Sequence, residues 1–169
     1  MGLKNDEVVC NSSPIINLIN VNCLDLLEKL YGKVQIPKAV FNELVIEGKN
    51  KKGVSDIINL IEKNVIIVKE VDNISFVKAL SKDLDLGESE VIALAMQINA
   101  GLIIIDEVDA RNVAQLYGLK ITGFIGVLIK AKNRGYISFV KKYIDRAMEE
   151  GFWINEKLYN KLMELLDEA

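Results

Sequence analysis

Histidine is absent from all 169 residues. That removes serine–histidine triads, cysteine–histidine dyads and histidine-rich zinc sites from the chemistry this chain can perform. Cysteine is nearly as scarce: Cys10 and Cys23 lack zinc-ligand spacing and make no disulfide framework, so they read as reduced, small apolar residues. No apolar run approaches the roughly 20 residues that span a bilayer. The segment from Met1 to Glu7 is polar and carries no signal-peptide apolar region. A soluble, cytoplasmic protein is therefore expected. Positive charge is not in excess, with 21 Lys and Arg against 24 Asp and Glu for a net charge of -3, which is not the footprint of a DNA-coating protein. Any nucleic-acid contact is then local. The candidate clusters are Lys49, Lys51 and Lys52, then Lys130, Lys132 and Arg134, then Lys141 and Lys142; each also reads as an ordinary solvated face. Phosphate-cradling loops are missing as well: neither G-x-G-x-x-G after the first strand nor G-K-[ST] occurs, which argues against a nucleotide-binding α/β protein.

What is present is a core-forming composition, 50% apolar with only two prolines. It fits one domain over residues 1–169, with C-terminal helices at about 137–167 as an appended element. Short β-branched runs, Val8-Val9-Cys10, Val34-Gln35-Ile36, Val65 to Val68, Leu102 to Ile105 and Lys120-Ile121-Thr122, alternate with helical patterns. The expectation is an α/β fold with a mostly parallel sheet of about five strands. The unbroken apolar run Leu102 to Ile105 suits a strand covered on both faces. Ser13-Pro14 predicts a helix start, with Ser13 as N-cap and Pro14 at the first helical position. Further helices are expected over Leu24–Leu30, from Pro37, over Val54–Ile61, Ile74–Leu80, Gly87–Asn99, from Val108 to a C′ glycine at Gly118, and over Gly123–Asn133. Two amphipathic helices broken near Gly151 are expected in the tail, and Gly48–Gly53 is expected to be a loop. Phe152, Trp153, Leu158 and Tyr159 either complete the core or cover a partner.

In an open α/β sheet, ligands gather beyond the carboxyl ends of the strands. Two polar residues end apolar strands there: Asn11, and Asp106 with Glu107 and Asp109 just beyond. Asp106 also reads as the N-cap of its following helix. Glu43 flanks the apolar residues Val40 and Leu44, and Asp85-Leu86-Gly87-Glu88 has the form of a capping box. Taken together, Glu43, Glu88, Asp106 and Asn11 make an oxygen donor set of the kind hard divalent cations select.

Five segments, VVCNSSPIINL from Val8, Ile36-Pro37 to Leu44, LGESEVIALA from Leu86, LIIIDEVDAR from Leu102 and TGFIGVLIKAK from Thr122, together resemble the PIN-domain superfamily. They are similar in particular to a branch of small archaeal and bacterial nucleic-acid-binding proteins related to toxin–antitoxin ribonucleases. The resemblance covers nearly the whole chain. It implies a three-layer fold and a Mg2+- or Mn2+-dependent ribonuclease site built from acids on separate segments. It also implies RNA as a partner, a homodimer, and for many members a small antitoxin protein. Carried over by position, the first acid falls on Asn11, the second on Glu43, the third on Glu88 and the fourth on Asp106. Glu90 is the alternative third acid, although it and Glu88, two apart on a helix, point to different faces. Asp109 would assist the fourth. Ser12 or Ser13 matches the hydroxyl that follows the first position, and Gly123 and Gly126 could let backbone N–H groups approach a phosphate, or serve tight helix packing. The departure is Asn11: its amide oxygen can ligate but carries no charge. The chain is therefore expected to be a ribonuclease with weakened metal affinity or a binding module that does not cut.

Overall fold

A strand needs neighbours on both sides to satisfy its backbone, and the apolar segments here find them in one all-parallel sheet of order β3-β2-β1-β4-β5. The computed structural model describes residues 6–169; of the polar opening segment, Met1 to Asn5 lie outside the described residues. The strands are β1 (Val8–Cys10), β2 (Val34–Pro37), β3 (Ile66–Lys69), β4 (Leu102–Ile104) and β5 (Ile121–Thr122). β1 is central and pairs Val8, Val9 and Cys10 with Leu102, Ile103 and Ile104 of β4. All three β1 residues are buried, as expected of a parallel strand covered on both faces.

The helices are α1 (Ser12–Asn20), α2 (Leu26–Tyr31), α3 (Lys38–Phe41), α4 (Val54–Glu62), α5 (Ile74–Leu80), α6 (Leu86–Gln97), α7 (Val108–Leu116), α8 (Phe124–Asn133), α9 (Lys141–Glu149) and α10 (Glu156–Leu165). α6 lies across β1, β2 and β4 and also touches α3, α5 and α7. Its residues Val91, Ile92, Leu94 and Ala95 are fully buried, so it is sandwiched rather than amphipathic. α1, α2 and α8 pack together, with α2 touching β2 and α8 touching β5. Helices, sheet and helices form the three layers that the alternating pattern requires.

Element boundaries differ from the sequence expectation in two instructive places. Helix α1 starts at Ser12 with Asn11, not Ser13, in the N-cap position, because β1 runs straight into the helix with a single residue between them. Helix α3 passes into a π-helical turn, Asn42–Ile46. Such a turn inserts an extra residue into the helical ladder and commonly marks a functional position; Glu43 lies in it. Among the described residues, no helix is long and apolar enough to cross a membrane.

The strand order makes β1 and β4 neighbours although β2 and β3 intervene in the chain. Connections leave β1 towards one edge of the sheet and β4 towards the other, so the carboxyl ends of these two strands form the topological switch point where ligand crevices open in such sheets. Asn11 follows one end, and Ile105, Asp106 and Glu107 follow the other. Asn11 N–H donates to Ile104 O at 2.9 Å, which ties the two exits together.

Candidate acidic site

Asn11 takes the N-cap position with extended backbone but makes no capping bond with its side chain. This is the reverse of what asparagine ordinarily does there. Its Nδ2 instead donates to Glu107 Oε2 at 3.3 Å. Asn11 is only 3% exposed, and its Oδ1 is buried with no hydrogen-bond partner. Such an atom costs about 1–3 kcal/mol unless something fills its lone pairs.

The two following hydroxyls each hold an acid from a distant segment. Ser12 Oγ donates to Glu43 Oε2 at 2.6 Å, and Ser13 Oγ donates to Glu107 Oε1. Both serines are thus engaged, where the sequence left a choice between them. Glu43 Oε1 presses against the backbone of Gly87, where an added Cβ would collide with it. The π-helical turn is thereby brought up to the N-terminus of α6, where Glu88 begins.

Glu88 does close a capping box. Its N–H donates to Asp85 Oδ1 at 2.8 Å, and its Oε2 accepts the Asp85 N–H at 3.0 Å. The same residue is buried, at 8% exposure, and the charges of Asp85, Glu107 and Asp109 bear on its carboxyl. Glu90 does not join it: its Oε2 accepts the Ala39 N–H at 2.8 Å, which places it on the side of α6 facing α3. Asp109 is exposed on the first turn of α7.

Asp106 is not the N-cap of α7; that position is occupied by Glu107. Asp106 turns to α8, where its Oδ1 accepts the Phe124 N–H at 2.8 Å, placing its charge at a helix N-terminus where the dipole favours it. Its Oδ2 accepts from Asn17 Nδ2 at 3.3 Å. Gly123 is required beside it, because a Cβ there would meet both Asp106 Oδ1 and Arg111 Nη1. Gly126 instead makes room for the Thr122 hydroxyl, so side chains of this protein occupy the space beside both glycines.

Burial is the largest influence on each of the three sequence-expected acids. It pushes Glu43 above the usual carboxylate range, helped by the charges of Asp85, Glu47 and Glu107 and opposed by the Ser12 hydroxyl. It does the same to Glu88, with the Asp85 N–H opposing and the charges of Asp85, Glu107 and Asp109 adding. Asp106 is raised by burial and by Glu107, against the Phe124 N–H, Asn17 and Arg111. The charge of Glu107 adds to the upward push on all three.

Sequence reasoning assigned no role to Asn17 or Arg111. Asn17 lies four residues after Ser13, hence on the same face of α1, and asparagine inside a short helix is a poor helix former; that was the available signal. Arg111 Nη1 donates to Ile105 O at 3.2 Å, a link between α7 and the end of β4 that only tertiary structure reveals.

Among the described residues, no three acids are gathered into a ready-made ion site. The donor set nevertheless fits a hard divalent cation. It is all oxygen, it carries several carboxylates, and it includes the orphaned Asn11 Oδ1, the kind of neutral oxygen such ions accept alongside acids. Beside Asp106, Glu107 and Arg111 opens a cavity of about 790 Å³, walled on its far side by Phe152, Trp153, Asn155 and Leu158.

An all-parallel α/β sheet with half-buried acids at its switch point defines the class: a three-layer fold with an acidic site at the strand ends. A PIN-domain family model matches residues 7–168, and the chain belongs to the PIN-domain family. This fold is one of nucleic-acid-binding proteins, often nucleases, and PIN domains generally use divalent metal ions. No curated protein matches the chain.

Proposed function

We propose that the protein is a divalent-metal-dependent ribonuclease that hydrolyses phosphodiester bonds, with Mg2+ or Mn2+ as its ion. The observation that carries this reading is the buried, unpartnered Asn11 Oδ1, on an amide hydrogen-bonded to the half-buried carboxylate of Glu107. Acids kept above their usual range by burial and mutual repulsion are relieved by a cation. Glu43, Glu88, Asp106 and Asn11 would hold the ion, with Asp109 at the margin. Bound there, the ion would lower the pKa of an attacking water and offset charge on the phosphate. Ser12 orients Glu43, Ser13 orients Glu107, and Asn17 and the Phe124 N–H fix Asp106. Arg111, half-buried at the cavity wall, supplies a cation for the RNA backbone. The buried free thiols of Cys10 and Cys23 suit a reducing compartment, and we place the protein in the cytoplasm.

We further read residues 1–169 as one domain, with α9 and α10 appended to the sheet and its helices. The exposed Trp153 and Leu158 offer apolar surface for a second copy or for a small antitoxin that would block the cavity, as the toxin of a toxin–antitoxin pair requires. The uncharged Asn11 favours one other reading, a module that binds RNA or protein without cutting it. Incubation of mixed-sequence single-stranded RNA with Mn2+ or Mg2+ separates them. Cleavage by the wild type that falls to background in Asp106→Ala and in excess chelator is expected. Intact RNA that is nonetheless bound would establish the non-cutting module.

A further inference from the structure

Glu107 occupies the N-cap position of α7 and makes no side-chain bond to its own helix. A carboxylate there would ordinarily accept first-turn N–H groups and gain from the helix dipole. It reaches instead across to β1 and α1: Oε2 accepts from Asn11 Nδ2 at 3.3 Å and Oε1 accepts from the Ser13 hydroxyl. Both of its oxygens are therefore turned to the segment that carries the uncharged member of the donor set. Ser12 and Ser13, adjacent in sequence, hold Glu43 and Glu107 respectively, so Glu107 is oriented by the same kind of device as an acid already placed in the site.

The amide of Asn11 explains the pairing. Its Nδ2 donates to Glu107, and its Oδ1 is a buried atom without a partner, on the same amide group and hence beside the same carboxylate. An aspartate at position 11 would offer no N–H and would set two carboxylates against each other at this separation, an arrangement in which one of them resists ionisation. Asn11 and Glu107 thus form a matched pair, one neutral and donating, one charged and accepting.

We propose that Glu107 supplies the negative charge that Asn11 lacks, so that the Asn11–Glu107 pair serves a bound divalent cation in place of a single acid at the end of β1. The inference rests on the metal-dependent reading above, and a charge swap tests it separately. Mn2+ binding is measured by calorimetry and by the rise in melting temperature that Mn2+ produces, in the wild type, Asp106→Asn, Glu107→Gln, Asn11→Asp and the double variant Asn11→Asp/Glu107→Gln. Glutamine in place of Glu107 can still accept from Asn11 and exchange a hydrogen bond with Ser13, so the metal-free melting temperature should hold.

Asp106→Asn and Glu107→Gln are each expected to weaken Mn2+ binding by about tenfold or more, and the double variant to return to within about threefold of wild type. In the double variant the introduced glutamine amide donates to the introduced carboxylate, the original bond with its polarity reversed. Wild-type affinity in Glu107→Gln together with loss in Asp106→Asn would overturn the role of Glu107 while leaving the metal reading intact. A double variant no better than Glu107→Gln would overturn it too. Absence of Mn2+ binding by the wild type would sink both.

Discussion

Glu88 serves two demands with one side chain. Its capping bonds stabilise the start of α6, and the dipole there favours a negative charge by about 0.5 kcal/mol. Burial and the neighbouring acids still win, since the carboxyl is raised overall. A folded-state pKa above the unfolded value means that its favourable contribution is complete below the unfolded value and is lost as pH rises through the folded one. At neutral pH the ionised side chain therefore costs stability. Glu88→Gln keeps the capping bond and removes the charge, so it should stabilise the fold by up to about 1 kcal/mol at pH 7, with the gain fading towards pH 4. Urea unfolding at both pH values checks this; equal stability of the two proteins at pH 7 would show that the charge is not destabilising. The capping box was legible because both partners lie within four residues of each other. The partners of Asn11 and Asp106 were not: a short polar side chain at a helix start looks like a local cap in any sequence, whereas these two bond to residues 96 and 18 positions away.

The C-terminal helices are held by a residue that no local pattern singles out. Glu168 is buried, accepts from Lys132 Nζ at 2.6 Å, and takes the N–H groups of Val140 and Lys141 at 2.9 and 2.6 Å. It thereby caps α9 from beyond the end of α10 and joins both helices to α8. Burial pushes its carboxyl up, but Lys132 and the two N–H groups outweigh this and hold it below the usual range. A depressed folded-state pKa gives stability that is present above the unfolded value and lost as pH falls through the folded one. Glu168→Gln should lower stability by about 2 kcal/mol at pH 7, the worth of charge-assisted bonds, with a smaller loss near pH 3. An unchanged melting temperature at pH 7 would show that apolar contacts alone hold the tail. Turn glycines such as Gly118 and Gly151, both with positive φ, had made the ends of α7 and α9 readable in advance. The π-helical turn at Asn42–Ile46 was not readable, because one inserted residue barely disturbs a hydrophobic pattern of two turns.

Over the whole molecule, the alternation of β-branched runs and helices was enough for the layered architecture, since few arrangements bury such strands on both faces. It could not give the strand order, which depends on which helices cover which face. The cavity depends on that order too: it joins the acids following β4 to Trp153 just before α10. Trp153 is the one tryptophan of the chain and is 79% exposed, a flat surface on which a base could stack. Single-stranded RNA added to the Asp106→Ala protein should quench its fluorescence, and Trp153→Ala should weaken binding by about 1–3 kcal/mol without lowering the melting temperature. Unquenched fluorescence at saturating RNA would mean that the strand follows another path. The central position of β1 has a consequence for how the molecule is made. Its neighbour β4 and the acids behind it are synthesised only after β2, β3 and the helices between them, so a nascent chain exposes Asn11 and the β4-facing edge of β1 long before either has its partner. The two halves of the acidic site, one behind β1 and one behind β4, can therefore meet only once β4 and the residues following it have been made.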